Sequence, residues 1–215
     1  MGRTTVQRFY IAPSYASAEP GEAEALDLLM RVAAAGSVSR LYKRLVISEK
    51  KAANAGGWYS HSALDSGRVG FYGIAAAGVS AEELEQAIDG VIADLRENGV
   101  SQEELDRARA AYLAGFAYST DSIFSLARHY GNRFALGMSI KDIEEWPDRL
   151  KRVTVADLRE VARKYLDRRN SVTGLLLPAS EHAGSTTYGA SVRPATLRAS
   201  QSGEADAATE VEHDR

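Results

Sequence analysis

The stretch that decides the fold is residues 69–95, VGFYGIAAAGVSAEELEQAIDGVIADL. Its first part alternates, with Val69, Phe71 and Gly73 on one side of an extended chain, which predicts a β-strand. Its second part changes to the period of an α-helix, and the apolar residues of one helix face are Leu84, Ala87, Ile88, Val91, Ile92 and Leu95. A strand followed by an amphipathic helix indicates a domain in which helices cover a sheet.

The same two patterns predict the other elements of the domain. A strand rich in β-formers opens the chain and is stopped by Pro13, and a helix ends at Gly36. The predicted elements are a strand at 6–13, a helix at 22–35 whose apolar face is Ala25, Leu28, Leu29 and Val32, a short helix from Ser39, two strands within 52–77 joined through 63–67, and a closing strand at 171–177.

Four helix starts share one signature, in which a hydroxyl residue is followed three positions later by an acid. The hydroxyl and the acid each accept a hydrogen bond from backbone N–H groups that the first helical turn leaves free. The four pairs are Ser80/Glu83, Ser101/Glu104, Ser139/Asp142 and Thr154/Asp157. The helix that starts at Ser101 is predicted to be long and to reach Leu126 or beyond, and Trp146-Pro147 predicts a bend.

These elements predict one α+β domain, with an antiparallel or mixed sheet and helices on one face, over residues 1–178. Beyond Pro178 the composition changes to Ser, Thr, Ala, Gly and acids, and no apolar period continues. Residues 179–215 are therefore predicted to form a flexible tail.

Composition excludes several classes of protein. The net charge is −3 and no long basic block occurs, so no nucleic-acid partner is expected. No apolar run approaches the roughly 18–20 residues of a membrane-spanning helix, so no membrane partner is expected. Residues 1–5 lack an apolar signal core, so the sequence leaves the location open, with the cytoplasm as the default and the periplasm as the alternative. The absence of cysteine removes disulfides, thiolate metal sites and a cysteine nucleophile together.

The sequence also lacks a recognisable catalytic or cofactor site. The histidines are His61, His129, His182 and His213, and none has another histidine within one helical turn, as a zinc-binding helix requires. His61 is interpreted as a hairpin-end residue and His129 as a packing residue. No G-x-S-x-G serine motif and no phosphate-binding glycine loop is present. We therefore predict no catalytic, metal-binding or cofactor-binding residue on this chain.

The order of the motifs resembles the C-terminal half of the pitrilysin/insulinase family of zinc metallopeptidases, which includes mitochondrial processing peptidase. The most specific piece is residues 36–45, GSVSRLYKRL, close to the family pattern G-x-x-S-R-L-[FY]-x-x-L. The resemblance spans residues 6–178, and its other pieces are residues 10–13, 70–72, 99–105, 153–158 and 172–178. It is nearest to the bacterial type, in which two homologous halves enclose a peptide chamber.

The resemblance implies a metallopeptidase half-domain of the LuxS and processing-peptidase type. In that family the N-terminal half carries the inverted zinc motif H-x-x-E-H, and the C-terminal half forms the opposite wall of the chamber without zinc. Zinc is therefore expected only in a complementary half. Many C-terminal halves also supply an arginine and a tyrosine after the S-R-L motif, and these positions correspond to Val46 and Ala53 here. Since neither side chain donates a hydrogen bond, that pair is absent.

The resemblance implies that this chain is not catalytic alone. Its implied function is to complete the peptide-binding chamber for a zinc-bearing N-terminal half or homologous subunit. An extended peptide is the expected ligand, bound through a strand edge. The alternatives are a structural or assembly subunit and a degenerate remnant of such a peptidase. A bare packing face also makes self-association a reasonable expectation.

Overall fold

The computed structural model describes residues 3–178, except for the side chains of Ser119 and Thr120. The predicted tail, residues 179–215, lies outside the described residues. The strands are β1 (Thr5–Pro13), β2 (Ala52–Ser60), β3 (Ser66–Ala75) and β4 (Ser171–Leu176). The helices are α1 (Glu22–Ala33), α2 (Arg40–Tyr42, continued by a π-helical turn at Lys43–Ser48), α3 (Ala81–Asn98), α4 (Gln102–Thr120), α5 (Ile123–Phe134), α6 (Ile140–Glu144), α7 (Trp146–Arg152) and α8 (Val155–Tyr165), followed by a 3-10 turn at Arg168–Asn170.

The four strands form one antiparallel sheet with the order β2-β3-β1-β4. The adjacent strands β2 and β3 form the predicted hairpin. The first strand, β1, pairs with the last strand, β4, in a register that runs from Thr5 opposite Leu176 to Tyr10 opposite Ser171. This pairing closes the domain, because it joins its two ends in the sequence.

Helices cover one face of this sheet, which confirms the predicted α+β class. Along β1 every second residue, namely Val6, Arg8, Tyr10 and Ala12, is buried on the helical side. The alternation follows from the two-residue period of a strand. Helices α1, α3 and α8 pack against the strands and against one another there.

Helix α1 is buried far more completely than its sequence predicted. All of its residues except Glu22 and Arg31 are buried, including two acids, because the helix is enclosed by β2, α4 and α8. A buried charge is costly unless it is paired. Glu24 accordingly accepts a 2.7 Å hydrogen bond from Arg149, and Asp27 accepts hydrogen bonds from tyrosine hydroxyls.

The four predicted helix starts are confirmed in atomic detail. In α3, Ser80 Oγ accepts from the Glu83 N–H at 3.2 Å, and the Glu83 carboxylate accepts from the Ser80 N–H at 2.9 Å. The same reciprocal pair of hydrogen bonds begins α4, α6 and α8. These starts need only local sequence, which is why the pattern predicted them.

The long helix predicted to reach Leu126 is instead two helices. Helix α4 ends at Thr120, and α5 begins at Ile123 after Ser122, whose Oγ accepts a 3.4 Å hydrogen bond from the Ser125 N–H. A serine offers the backbone such a local alternative to a continuous helix. The break allows α5 to fold back and pack against α4.

The segment 36–45 is explained by its structural role. Ser39 Oγ donates to the Gly36 carbonyl at 2.7 Å and accepts from the Tyr42 N–H at 3.4 Å, so it begins the short helix α2. Leu41 and Leu45 are fully buried in the core. The serine and the two leucines of the motif therefore set the position of α2 against the core.

The arginine of this motif, Arg40, ties three helices together. Its Nε and Nη2 donate to the two oxygens of Glu104 on α4, at 2.8 and 2.6 Å, and its Nη1 donates to Asp94 on α3 at 2.8 Å. A forked guanidinium matches a carboxylate in this two-point geometry. The hydrogen bonds from Arg40 lower the pKa of Glu104 from 4.5 to about 2.

We expect Arg40→Gln to lower the free energy of unfolding by about 1–2 kcal/mol at neutral pH, a value reduced for the partial exposure of both partners. Glu104 has a depressed pKa in the folded state, so its stabilising effect is present above pH 4.5 and is lost as the pH falls towards about 2. Urea unfolding of the wild type and of Arg40→Gln across this pH range measures the difference in their free energies of unfolding. This difference should shrink towards the acid end. Arg107→Gln, which removes an exposed pair with Glu103, is the matched control and should change little. A constant difference across the range would contradict the assignment.

Candidate functional site

The face of the sheet that the helices leave open is the candidate interface of the domain. The register aligns Trp58, Gly70, Phe9 and Val172 in one row across the four strands. We name the outward-pointing apolar residues of these strands the open face, and its members are Phe9, Ile11, Trp58, Tyr72, Ile74, Val172 and Leu176.

An aromatic strip runs along one side of the open face. The Trp58 ring lies across Gly70, where a Cβ atom would stand 2.6 Å from a ring carbon, and it meets Phe9 edge-on with 5.7 Å between ring centroids. The Tyr72 ring lies in the same way across Gly56, 6.4 Å from Trp58. Two glycines thus allow large rings to lie flat on the sheet, which creates a broad apolar surface.

The other side of the open face presents aliphatic side chains to solvent. Ile11 is 71% exposed, Val172 is 72% exposed and Leu176 is 66% exposed. Single exposed apolar residues are ordinary on protein surfaces, but several on one sheet face indicate an interaction surface, here one that also includes the polar Gln7 and Arg68.

The two edges of the sheet differ. Beside β2, the Gly57 N–H donates to the Ala34 carbonyl at 3.0 Å, so the end of α1 covers part of that edge. On the outer side of β4, no strand among residues 3–178 pairs with it. An unpaired edge with exposed apolar side chains is a template for another strand. The β4 edge is therefore where an extended chain could add to the sheet.

The two positions that the resemblance singled out do not contribute polar groups. Val46 packs against the core from the π-helical turn after α2, and Ala53 lies exposed on β2. The nearby Tyr59 hydroxyl donates to the Pro13 carbonyl at 2.6 Å, and burial raises the pKa of that hydroxyl. Tyr59 thus holds β2 to the end of β1.

The structure brings together two histidines that the sequence treats as unrelated. His61 follows β2 and meets the ring of Tyr15 edge-on at 5.2 Å, while His129 on α5 meets Phe116 at 5.4 Å. Both line one cavity beside Asp27. His182 and His213 lie outside the described residues. No sequence signal indicated the pairing, because it depends on the fold-back of α5.

These side chains do not fit a zinc ion. Hydroxyl donors occupy both oxygens of Asp27, and His129 Nδ1 lies 2.8 Å from the guanidinium of Arg133, which can only donate. Within residues 3–178, no group of three or more His, Asp or Glu side chains is arranged to hold a metal ion. Across the same residues, no helix combines the length and apolar character needed to cross a membrane.

Comparison with protein families gives one match. The family model described as the peptidase M16 inactive domain matches residues 8–112. This range begins in β1 and ends within α4, and it includes the Arg40 motif and the β2-β3 hairpin. No curated protein matches the chain.

Solved structures share the fold. A protease from Helicobacter pylori has a TM-score of 0.75 at 22% identity, with 83% of this chain and 42% of that chain covered. The inactive peptidase domain of a candidate zinc protease from Bordetella parapertussis has a TM-score of 0.74 at 24% identity, with 82% and 93% covered. A peptidase M16 inactive domain from Pseudomonas fluorescens has a TM-score of 0.71 at 18% identity, with 82% and 42% covered. The chain thus spans less than half of two of these proteins and nearly all of the third.

Proposed function

We propose that this chain, which matches the peptidase M16 inactive domain over residues 8–112, completes the peptide-binding chamber of a metalloendopeptidase whose zinc lies in a separate half. The predicted resemblance to the zinc-less C-terminal half of such enzymes is confirmed by the family match and by the similarity of the fold to solved inactive domains. In this role the chain binds and encloses, and the zinc-bearing half supplies the hydrolytic chemistry.

The observation that carries the proposal is the open face. A sheet with helices on one side and exposed Ile11, Trp58, Val172 and Leu176 on the other has apolar surface that a second domain can bury. A zinc-bearing half of similar size is the partner we propose. The coverage supports this view, because the chain spans 42% of the Helicobacter pylori protease but 93% of the inactive peptidase domain from Bordetella parapertussis.

The β4 edge gives the proposed chamber a means of holding an extended peptide. A strand added beside residues 171–176 gains main-chain hydrogen bonds whatever its sequence, while the exposed Val172 and Leu176 contact its side chains. Main-chain recognition of this kind suits an enzyme half that binds many peptides.

We expect peptide hydrolysis only when this chain is mixed with a separately expressed zinc-bearing M16 half from the same organism. The measurement is cleavage of a fluorogenic peptide library with added zinc, by each protein alone and by the mixture. A mixture whose zinc-bearing half has Gln in place of the Glu of H-x-x-E-H is the control for contaminating peptidases.

The outcomes separate the alternatives. Hydrolysis by the mixture alone supports the proposal. No hydrolysis by any sample, despite a stable complex, favours a structural or assembly subunit, and the lack of any complex favours a degenerate remnant. Zinc-dependent hydrolysis by this chain alone contradicts the proposal.

A further inference from the structure

A cavity of about 320 Å³ lies between α1, α4 and α5, away from the open face of the sheet. Asp27 and Arg31 on α1, His61 after β2, and His129 and Arg133 on α5 contribute its polar side chains. Its volume is at the lower end of the range of about 300–1,000 Å³ that is typical of small-molecule sites. Neither the peptidase family match nor the proposed chamber accounts for it.

Two guanidinium groups in this cavity have no carboxylate partner among the described residues. Arg133 is half-buried, whereas Arg31 is exposed at the mouth of the cavity. Other arginines that are buried or half-buried do have a carboxylate partner: Arg8 pairs with Asp89, Arg40 with Glu104, and Arg149 with Glu24. Within residues 3–178, by contrast, neither Arg31 nor Arg133 forms an ion pair; the Arg31 guanidinium lies over the ring of Tyr112, 5.8 Å from its centroid. An unpaired, partly desolvated guanidinium is a ready partner for a carboxylate.

Arg133 is held in position by its own helix. Its Nη1 lies 2.8 Å from Nδ1 of His129, one turn earlier on α5, and since a guanidinium can only donate, the imidazole nitrogen accepts. Burial lowers the pKa of Arg133, and burial with the nearby guanidinium lowers the pKa of His129, so the imidazole is a neutral acceptor. The guanidinium is therefore oriented before any ligand arrives.

The acid in the cavity is already satisfied. Asp27 is 3% exposed, and its two oxygens accept hydrogen bonds from the Tyr15 hydroxyl at 2.6 Å and the Tyr112 hydroxyl at 3.3 Å. Among Asp27, Arg31 and Arg133, one carboxylate therefore stands against two guanidinium groups. A carboxylate ligand would balance the second guanidinium.

The walls of the cavity are aromatic. Tyr112 and Phe116 on α4 and Trp146 on α7 line it, with 5.5 Å between the ring centroids of Phe116 and Trp146. The small residues Ala111 and Gly115, one helical turn apart on α4, take up little of the space. Aromatic walls favour a ligand whose charged group is attached to an apolar or aromatic group.

We propose that this cavity binds a monocarboxylate that carries an apolar or aromatic group, with its carboxylate on Arg133 and Arg31 and its apolar part against Phe116 and Trp146. The C-terminal residue of a peptide and a free N-acyl amino acid share this chemistry. The inference goes beyond the proposed chamber and does not depend on a zinc-bearing partner.

The test uses Trp146 as a reporter. The chain has two tryptophans, and Trp58 lies on the open face of the sheet, so a Trp58→Phe background leaves Trp146 as the only one. In this full-length background we titrate N-acetylphenylalanine, its C-terminal amide, and a hexapeptide ending in phenylalanine with a free carboxylate. We expect the two acids to change the Trp146 emission and the amide to bind about tenfold more weakly or worse, because it lacks the charge-assisted hydrogen bonds. Calorimetry provides a second measurement of the same affinities.

Variants assign the site. Arg133→Gln should weaken binding of N-acetylphenylalanine by about tenfold or more. Arg128→Gln, which changes an exposed arginine on the same helix α5, should leave the binding unchanged.

The ligands distinguish the two sources of a carboxylate. Binding of the small acid but not the hexapeptide identifies a free metabolite as the ligand source, and binding of both identifies peptide ends as well. Equal affinity for acid and amide, or no binding of either acid, overturns the proposal. These comparisons need only the background protein, so they hold even if Arg133→Gln fails to fold, and they are independent of peptidase activity.

Discussion

An Ile11→Glu substitution is expected to reduce zinc-half-dependent peptide hydrolysis by about tenfold or more, because a carboxylate would have to lose its water within the proposed interface. Ile11 is 71% exposed on the open face, so the variant itself should fold with a change in stability of no more than about 0.5 kcal/mol. The measurement is the hydrolysis rate as a function of the concentration of this chain, with the zinc-bearing half held constant.

Leu64→Glu is the matched control for this experiment. Leu64 is 76% exposed in the loop between β2 and β3, so the same new charge is added away from the open face. Sedimentation of the wild-type chain alone tests whether a second copy of this chain binds to the open face instead. If Ile11→Glu and Leu64→Glu support equal hydrolysis, the zinc-bearing half does not pack on the open face.

A Leu84→Ala substitution is expected to lower the free energy of unfolding by about 3–5 kcal/mol, the range for buried leucines whose cavity cannot collapse. Leu84 is fully buried on α3 and packs over Gly73 of β3, where a Cβ atom would lie 3.0 Å from Leu84 Cδ1. The glycine leaves no side chain that could fill the space. Since a domain of this size has a total stability of about 5–15 kcal/mol, the variant should lose a large part of it.

Urea unfolding followed by far-UV circular dichroism measures this loss. Leu64→Ala, which shortens an exposed leucine by the same number of atoms, should change the midpoint little. A loss below about 1 kcal/mol for Leu84→Ala would mean that α3 moves towards the sheet and fills the cavity.

The local elements of this protein follow directly from its sequence. Each capped helix start needs only a hydroxyl and an acid three residues apart, as at Ser80 and Glu83, so adjacent residues contain the whole interaction. The β2-β3 hairpin is predictable for the same reason. The prediction of one long helix through Leu126 was wrong, because Ser122 forms a local cap that the apolar pattern does not reveal.

The polar residues of the core show where local patterns stop being informative. Glu24 and Asp27 appear in the sequence as ordinary helix acids, yet both are buried, because α1 is enclosed by elements distant in the sequence. Glu24 is paired with Arg149, 125 residues away, and Asp27 accepts from Tyr112, 85 residues away, as well as from the nearer Tyr15. Arg40 was recognised as part of a motif, but its carboxylate partners on α3 and α4 appear only in the structure.

The sequence by itself determined the α+β class, the helix starts and the resemblance to a zinc-less peptidase half, because these depend on periodicity and short spacings along the chain. Only the tertiary structure decided the strand order, the open face, the β4 edge and the cavity at Asp27, Arg31 and Arg133. The physical reason is that strand pairing and burial are long-range choices. β1 pairs with β4 from the far end of the domain, and side chains on α1 and α5 share a cavity because α5 folds back on α4.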